Sequence, residues 1–187
     1  MITLTTPSSL SLKTFLKQPE TKPAREYFNG ESTSKSMPTA RHSLLQFQLA
    51  KLINDLTLRQ KIACALPELR CTFGGQSIVP DIAIFLWSNL RLSAANEPLD
   101  QVTIAPDWMI EILSPNQSSN RVLAKIFFAL DQGTQLGWLI DPDDRSILVC
   151  QPQKQPCYCQ GQTLLSILSS IPLELTVDQV FQLMKLL

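Results

Sequence analysis

Apolar and polar positions change their period several times along the chain, and each change marks an element. Residues 81–87 and 107–113 are apolar runs of strand length, rich in β-branched and aromatic side chains and bounded by proline. Continuous apolar character of this kind predicts strands covered on both faces. Downstream of Pro38-Thr39, Leu45, Leu49, Leu52 and Leu56 recur at i, i+4, i+7 and i+11. That spacing predicts a long helix through about Arg59 with a core-facing stripe. A second helix is predicted over about 119–132, apolar on nearly every side through residues 122–130 and closed by Gly133. Glu26-Tyr27-Phe28 runs into Asn29-Gly30, the strongest short-range hairpin signal, and residues 62–79 read as short strands broken by Pro67 and Gly74-Gly75. A polar loop (88–103), strands at 137–141, 146–151 and near 156–160, and a terminal helix starting at Thr176-Val177-Asp178 complete the pattern. Helix, mixed strands, helix, strands, helix is the order of an α/β layer architecture.

Length and composition narrow the class. A chain of 187 residues with 44% hydrophobic and 17% charged side chains suits one globular domain, 1–187. Residues 1–24, rich in Ser, Thr, Pro and Lys with an amphipathic stretch at 12–16, read as a peripheral arm on a core from about residue 25. The apolar runs fall short of the roughly 18 residues that a membrane helix needs, and no charged and apolar leader opens the chain. A cytoplasmic protein with no membrane partner is therefore expected. The five cysteines, an odd number without a CxxC pair, fit reduced thiols better than staples or a zinc site. Net charge is zero, yet residues 1–70 carry ten Lys/Arg against five Asp/Glu, and residues 71–187 six against eleven. The basic half could meet phosphate, and bound cations could offset the acidic half.

The candidate chemistry lies in charges set within apolar elements. Asp81 leads one predicted strand and Glu111 lies within the other. A buried carboxylate is costly unless it is paired or coordinates a metal. Strand alternation puts Asp107, Met109, Glu111 and Leu113 on one face, and Asp81 with Ala83 and Phe85 on one face of its own strand. If the two strands pair in register, both carboxylates point into one cleft and suit Mg²⁺, or Mn²⁺, as hard oxygen ligands. Lys125, in the second apolar helix, shares a face with Val122 and Ala129 and must reach a carboxylate or a polar cleft. It is expected to point toward Glu111. The competing explanation is a purely structural Lys–Glu pair with Asp81 capping a strand. His42 sits on the helical stripe and reads first as a satisfied core residue, Glu31 as a solvated turn carboxylate, and Asp141 as a turn initiator; His42 and Glu31 stay as accessory candidates.

An ordered set of motifs then resembles a known family. Glu26-Tyr27-Phe28-Asn29-Gly30-Glu31, His42, Pro80-Asp81, Ala105-Pro106-Asp107, Glu111-Ile112-Leu113-Ser114-Pro115, Lys125, Gly133 and Trp138-Leu139-Ile140-Asp141-Pro142 occur in sequence. Together they closely resemble the bacterial Uma-two family, regarded as restriction-endonuclease-like, over about residues 12–185. The resemblance implies a PD-(D/E)XK nuclease core, a mixed central β-sheet flanked by helices, with Mg²⁺-dependent hydrolysis of DNA phosphodiester bonds and homodimers as a common state. It makes Asp81 and Glu111 the metal ligands, with Lys125 as the third catalytic residue. Leu113 stands where the superfamily places its lysine, and the resemblance moves that lysine to the following helix, at Lys125. Arg121 and Ala129 depart from the family at positions where many members carry an acidic residue and Tyr. The alternative function is a catalytically silent member of the same fold that binds nucleic acid or a protein.

Overall fold

A computed structural model describes residues 10–95, 97–115 and 117–186; the first part of the expected N-terminal arm, residues 1–9, lies outside them. The central sheet grows from the two apolar runs. β6 (Ile82–Leu86) and β7 (Trp108–Ile112) pair antiparallel, with Ile82 opposite Ile110 and Ile84 opposite Trp108. β7 then pairs in parallel with β8 (Leu136–Asp141) through the crossover helix α3 (Ser119–Asp131). Antiparallel β9 (Ser146–Cys150) and β10 (Cys157–Gln160) extend one side, and β3 (Ala63–Pro67) closes the other, giving the order β10-β9-β8-β7-β6-β3. A second sheet, ordered β2-β1-β5-β4, is built from β1 (Arg25–Phe28), β2 (Glu31–Ser34), β4 (Cys71–Phe73) and β5 (Gln76–Ile78). Asn29 and Gly30 turn β1 into β2 with φ of 53° and 81°, as a two-residue hairpin turn requires.

Helices cover both faces of the central sheet, as its apolar strands demand. On one face Ile82, Ile84, Trp108 and Ile110 pack with Leu45, Leu49 and Ile53 of α2 (Ala40–Thr57) and with Val180 and Phe181 of α4 (Val177–Gln182). On the other, Ala83, Phe85 and Met109 pack with Val122, Ile126 and Ala129 of α3. Contact there is close, because a Cβ at Gly137 would overlap the Ile126 side chain. The α2 stripe differs from the sequence expectation: Ile53 and Thr57 continue it in the core, while Leu52 and Leu56 sit at its margin. The repeat that faces a flat sheet follows i, i+4, i+8, which the leucines alone do not mark. The short α1 (Leu12–Phe15) docks Phe15 on Tyr27, at 5.6 Å between ring centroids. Among the described residues no helix is long and apolar enough to cross a membrane.

Candidate active site

The register of β6 on β7 sets the first two groups. One step beyond the pair Ile82–Ile110, Asp81 stands opposite Glu111, and opposed residues on an antiparallel pair share a face. That is the α3 face, where Lys125 projects. Its ammonium lies 2.9 Å from Glu111 Oε1 and 2.9 Å from Glu26 Oε2 on β1. Glu26 Oε1 also accepts the Val79 backbone N–H at 2.9 Å, just past β5 of the same small sheet.

Asp81 has a different set of partners. Its Oδ2 accepts the Ile112 N–H at 2.6 Å, and its Oδ1 lies 2.6 Å from the Lys35 ammonium, just beyond β2. His42, at the start of α2, places Nε2 3.4 Å from the same Oδ1 without a hydrogen bond, and Nδ1 3.3 Å from Ser114 Oγ. Gln46, one turn along α2, donates to the Asp81 carbonyl at 2.7 Å and to Glu68 Oε1 at 3.1 Å.

These groups are almost dry: Asp81 is 2% exposed, Glu111 1% and Lys125 5%. Burial works against the ionised form of Asp81, but the Lys35 ammonium, followed by His42, outweighs it and holds the carboxyl well below the usual range. Burial dominates at Glu111 and pushes it up to about 7; Lys125 opposes the rise and the neighbouring Asp81 charge adds to it. Both lysines are desolvated, yet their carboxylate partners hold them above the ordinary ammonium value. The two strand carboxylates are thus in unequal states, although they face each other.

The sequence candidates separate accordingly. Asp81, Glu111, Lys125 and His42 come together, whereas Glu31 is exposed on β2 and touches none of the buried charges. Leu113 packs into the apolar cluster beneath α3, and exposed Arg121 makes no ion pair among the described residues. Two members of the cluster escaped sequence reading, Glu26 and Lys35. Glu26 was legible: it alternates with Phe28, which packs against the α3 cluster, so it shares an apolar strand face. Lys35 carries no local signal.

The donor set fits a hard divalent cation. Glu26, Asp81 and Glu111 bring three buried carboxylates against the two ammoniums of Lys35 and Lys125, so the cluster is one positive charge short whenever Glu111 is ionised. Glu111 Oε1 is buried without an aligned hydrogen-bond donor, even at 2.9 Å from Lys125. Among the described residues no group of three His, Cys, Asp or Glu side chains is arranged around a common point. Mg²⁺ needs no such cage, because it keeps several waters and is held by one or two carboxylates plus substrate phosphates.

Comparisons with known proteins place the chain by family and fold. No curated protein matches the chain. A crystal structure of a putative nuclease belonging to DUF820, from Anabaena variabilis, is 42% identical, with a TM-score of 0.91 over 94% of this chain and 99% of that one. The profile of the Uma2 family, described as "Putative restriction endonuclease", matches residues 12–181. The chain therefore belongs to the Uma-two family and carries its nuclease-like α/β fold.

Proposed function

We propose that the protein is a metal-dependent endonuclease that hydrolyses DNA phosphodiester bonds. The observation that carries this reading is the opposed pair Asp81–Glu111 at the end of β6 and β7, with the Lys125 ammonium 2.9 Å from Glu111. The family description and the nuclease named in the neighbouring structure support the reaction class. Asp81 and Glu111 would hold the cation, Mg²⁺ or Mn²⁺. Once bound, such an ion supplies an activated water and offsets charge on the phosphate.

The remaining groups prepare the carboxylates. Lys125 supplies the positive charge that Leu113 cannot, and Glu26 fixes it from the opposite side with two hydrogen bonds of 2.9 and 3.1 Å. Ile112 N–H and Gln46 clamp Asp81 through its Oδ2 and its carbonyl, leaving Oδ1 as the oxygen that can change partner. His42 borders that oxygen as an accessory group, and Glu31 lies at the rim of the neighbouring cavity, placed for substrate rather than metal. A cytoplasmic homodimer acting on DNA is the corresponding biological form.

A second reading has one observation in its favour. Lys35 and the Ile112 N–H already occupy both oxygens of Asp81, as they would in a silent member of the fold that binds nucleic acid or protein. A plasmid-nicking assay with Mg²⁺ and Mn²⁺ separates the two. Metal-dependent nicking that is lost in Asp81→Ala and Glu111→Ala is the expected result. Binding of DNA without cleavage under any metal would favour the silent reading.

A further inference from the structure

Lys35 stands apart from the other buried cation in what surrounds it. Lys125 is held on a helix between two carboxylates, both buried. Lys35 follows the end of β2, with its backbone N–H donated to the Ala24 carbonyl at 2.9 Å. Its side chain is 9% exposed and lines two cavities at once. One, of about 370 Å³, is bordered by His42, Asp81 and Ser114; the other, of about 520 Å³, by Glu26, Glu31 and Lys125. Lys35 thus borders both the cavity beside Asp81 and the cavity beside Lys125.

The bonds of Lys35 are also exchangeable. Besides Asp81 Oδ1 at 2.6 Å it reaches the Val79 carbonyl at 2.8 Å and Glu68 Oε1 at 3.2 Å. The Glu68 side chain is 46% exposed, so an ammonium that leaves Asp81 has a wetter carboxylate within reach and is not stranded. Asp81 keeps its orientation meanwhile, because Oδ2 stays on the Ile112 N–H. Like charges at close range in a poorly solvated site exclude each other, so Lys35 on Oδ1 and a divalent cation on Oδ1 are alternatives.

We propose that Lys35 is a tethered counter-ion that occupies Asp81 in the metal-free protein and must be displaced toward Glu68 before a divalent cation loads between Asp81 and Glu111. This rests on the metal-dependent reading above, and it makes occupancy of the site a competition inside the chain. It also accounts for both oxygens of Asp81 being partnered without requiring that the site be silent.

The test is calorimetric titration of the chelator-stripped full chain with Mn²⁺, with melting temperature followed in parallel. Lys35→Met and Lys35→Gln, which remove the charge, should bind Mn²⁺ about tenfold or more tightly than wild type and gain more melting temperature from it. Lys35→Arg, which keeps the charge, should stay near the wild-type affinity. Asp81→Ala added to Lys35→Met should abolish the gain. Binding by the neutral variants alone, with wild type silent, supports the proposal in its strongest form. Wild type binding as tightly as or more tightly than both neutral variants overturns the displacement and leaves the metal site standing. No binding by any variant at millimolar Mn²⁺ overturns the displacement and the metal-dependent reading together.

Discussion

Two Pro-Asp dipeptides open the two central strands, and the fold surrounds them with opposite kinds of partner. Pro80-Asp81 leads into β6 and Pro106-Asp107 into β7, and both aspartates are buried, at 2% and 5% exposed. Because β6 and β7 run antiparallel, the dipeptides lie at opposite ends of the pair. Asp107 is closed by neutral donors: the Leu86 N–H at 2.8 Å, the Asn89 amide at 2.7 Å and the Gln135 amide at 3.0 Å. Asp81 is met by a cation at 2.6 Å and faces a second carboxylate that lacks an aligned donor. A buried carboxylate closed by neutral donors holds no counter-ion for a cation to displace. One balanced by movable charge is available for exchange.

The sharpest way to break this comparison is to measure cleavage. Asp81→Ala and Glu111→Ala should lower nicking by on the order of 10³-fold or more, whereas Asp107→Ala should leave the rate per folded molecule nearly unchanged. Equal losses at the two aspartates would end the distinction. Lys125→Met follows in size. It keeps the apolar stem and the fold but removes the ammonium from Glu111, so turnover should fall about 10²-fold. A wild-type rate for this variant in the same assay would return Lys125 to a structural role.

Stability should separate the two aspartates far less than cleavage does. Asp107→Ala leaves the half-buried Leu86 N–H and the exposed Asn89 and Gln135 amides without their acceptor and should cost about 2 kcal/mol in urea unfolding. Asp81→Ala should cost a similar amount, because Lys35 can turn fully to Glu68 but the buried Ile112 N–H loses its acceptor. The smallest effect concerns pH. Glu111 is raised from 4.5 to about 7 in the fold, so between those values the native state binds more protons than the unfolded chain. Its contribution to stability therefore declines as pH rises through that window. Glu111→Gln removes the decline, and in chelator its melting temperature relative to wild type should increase from pH 5 to pH 8. A difference independent of pH would show that Glu111 stays ionised throughout.

Much of this was legible beforehand, for identifiable reasons. The β6 and β7 runs, the Asn29-Gly30 turn, α3 and its closure at Gly133 rest on local backbone and burial rules, and they formed where expected. The shared face of Asp81 and Glu111 followed from strand alternation once the strands were taken as neighbours. Glu31, read first as a solvated turn carboxylate and kept only as an accessory candidate, is exposed, while Glu26 in the same hairpin turns inward. The strand period separates two faces without saying which one meets the core.

The amino-acid sequence by itself determined which segments are strands and helices, which side chains share a face, and that Asp81, Glu111 and Lys125 needed partners. Those are consequences of backbone geometry and of the cost of burying charge, and both act locally. Only the tertiary structure decided what those partners are. Lys35 reaches Asp81 across 46 residues and Lys125 reaches Glu26 across 99, and no local pattern encodes either distance. Coulombic and hydrogen-bond partners depend on separation in space, so the difference between a Pro-Asp closed by neutral donors and one met by an ammonium emerges when the two sheets and α3 close around it.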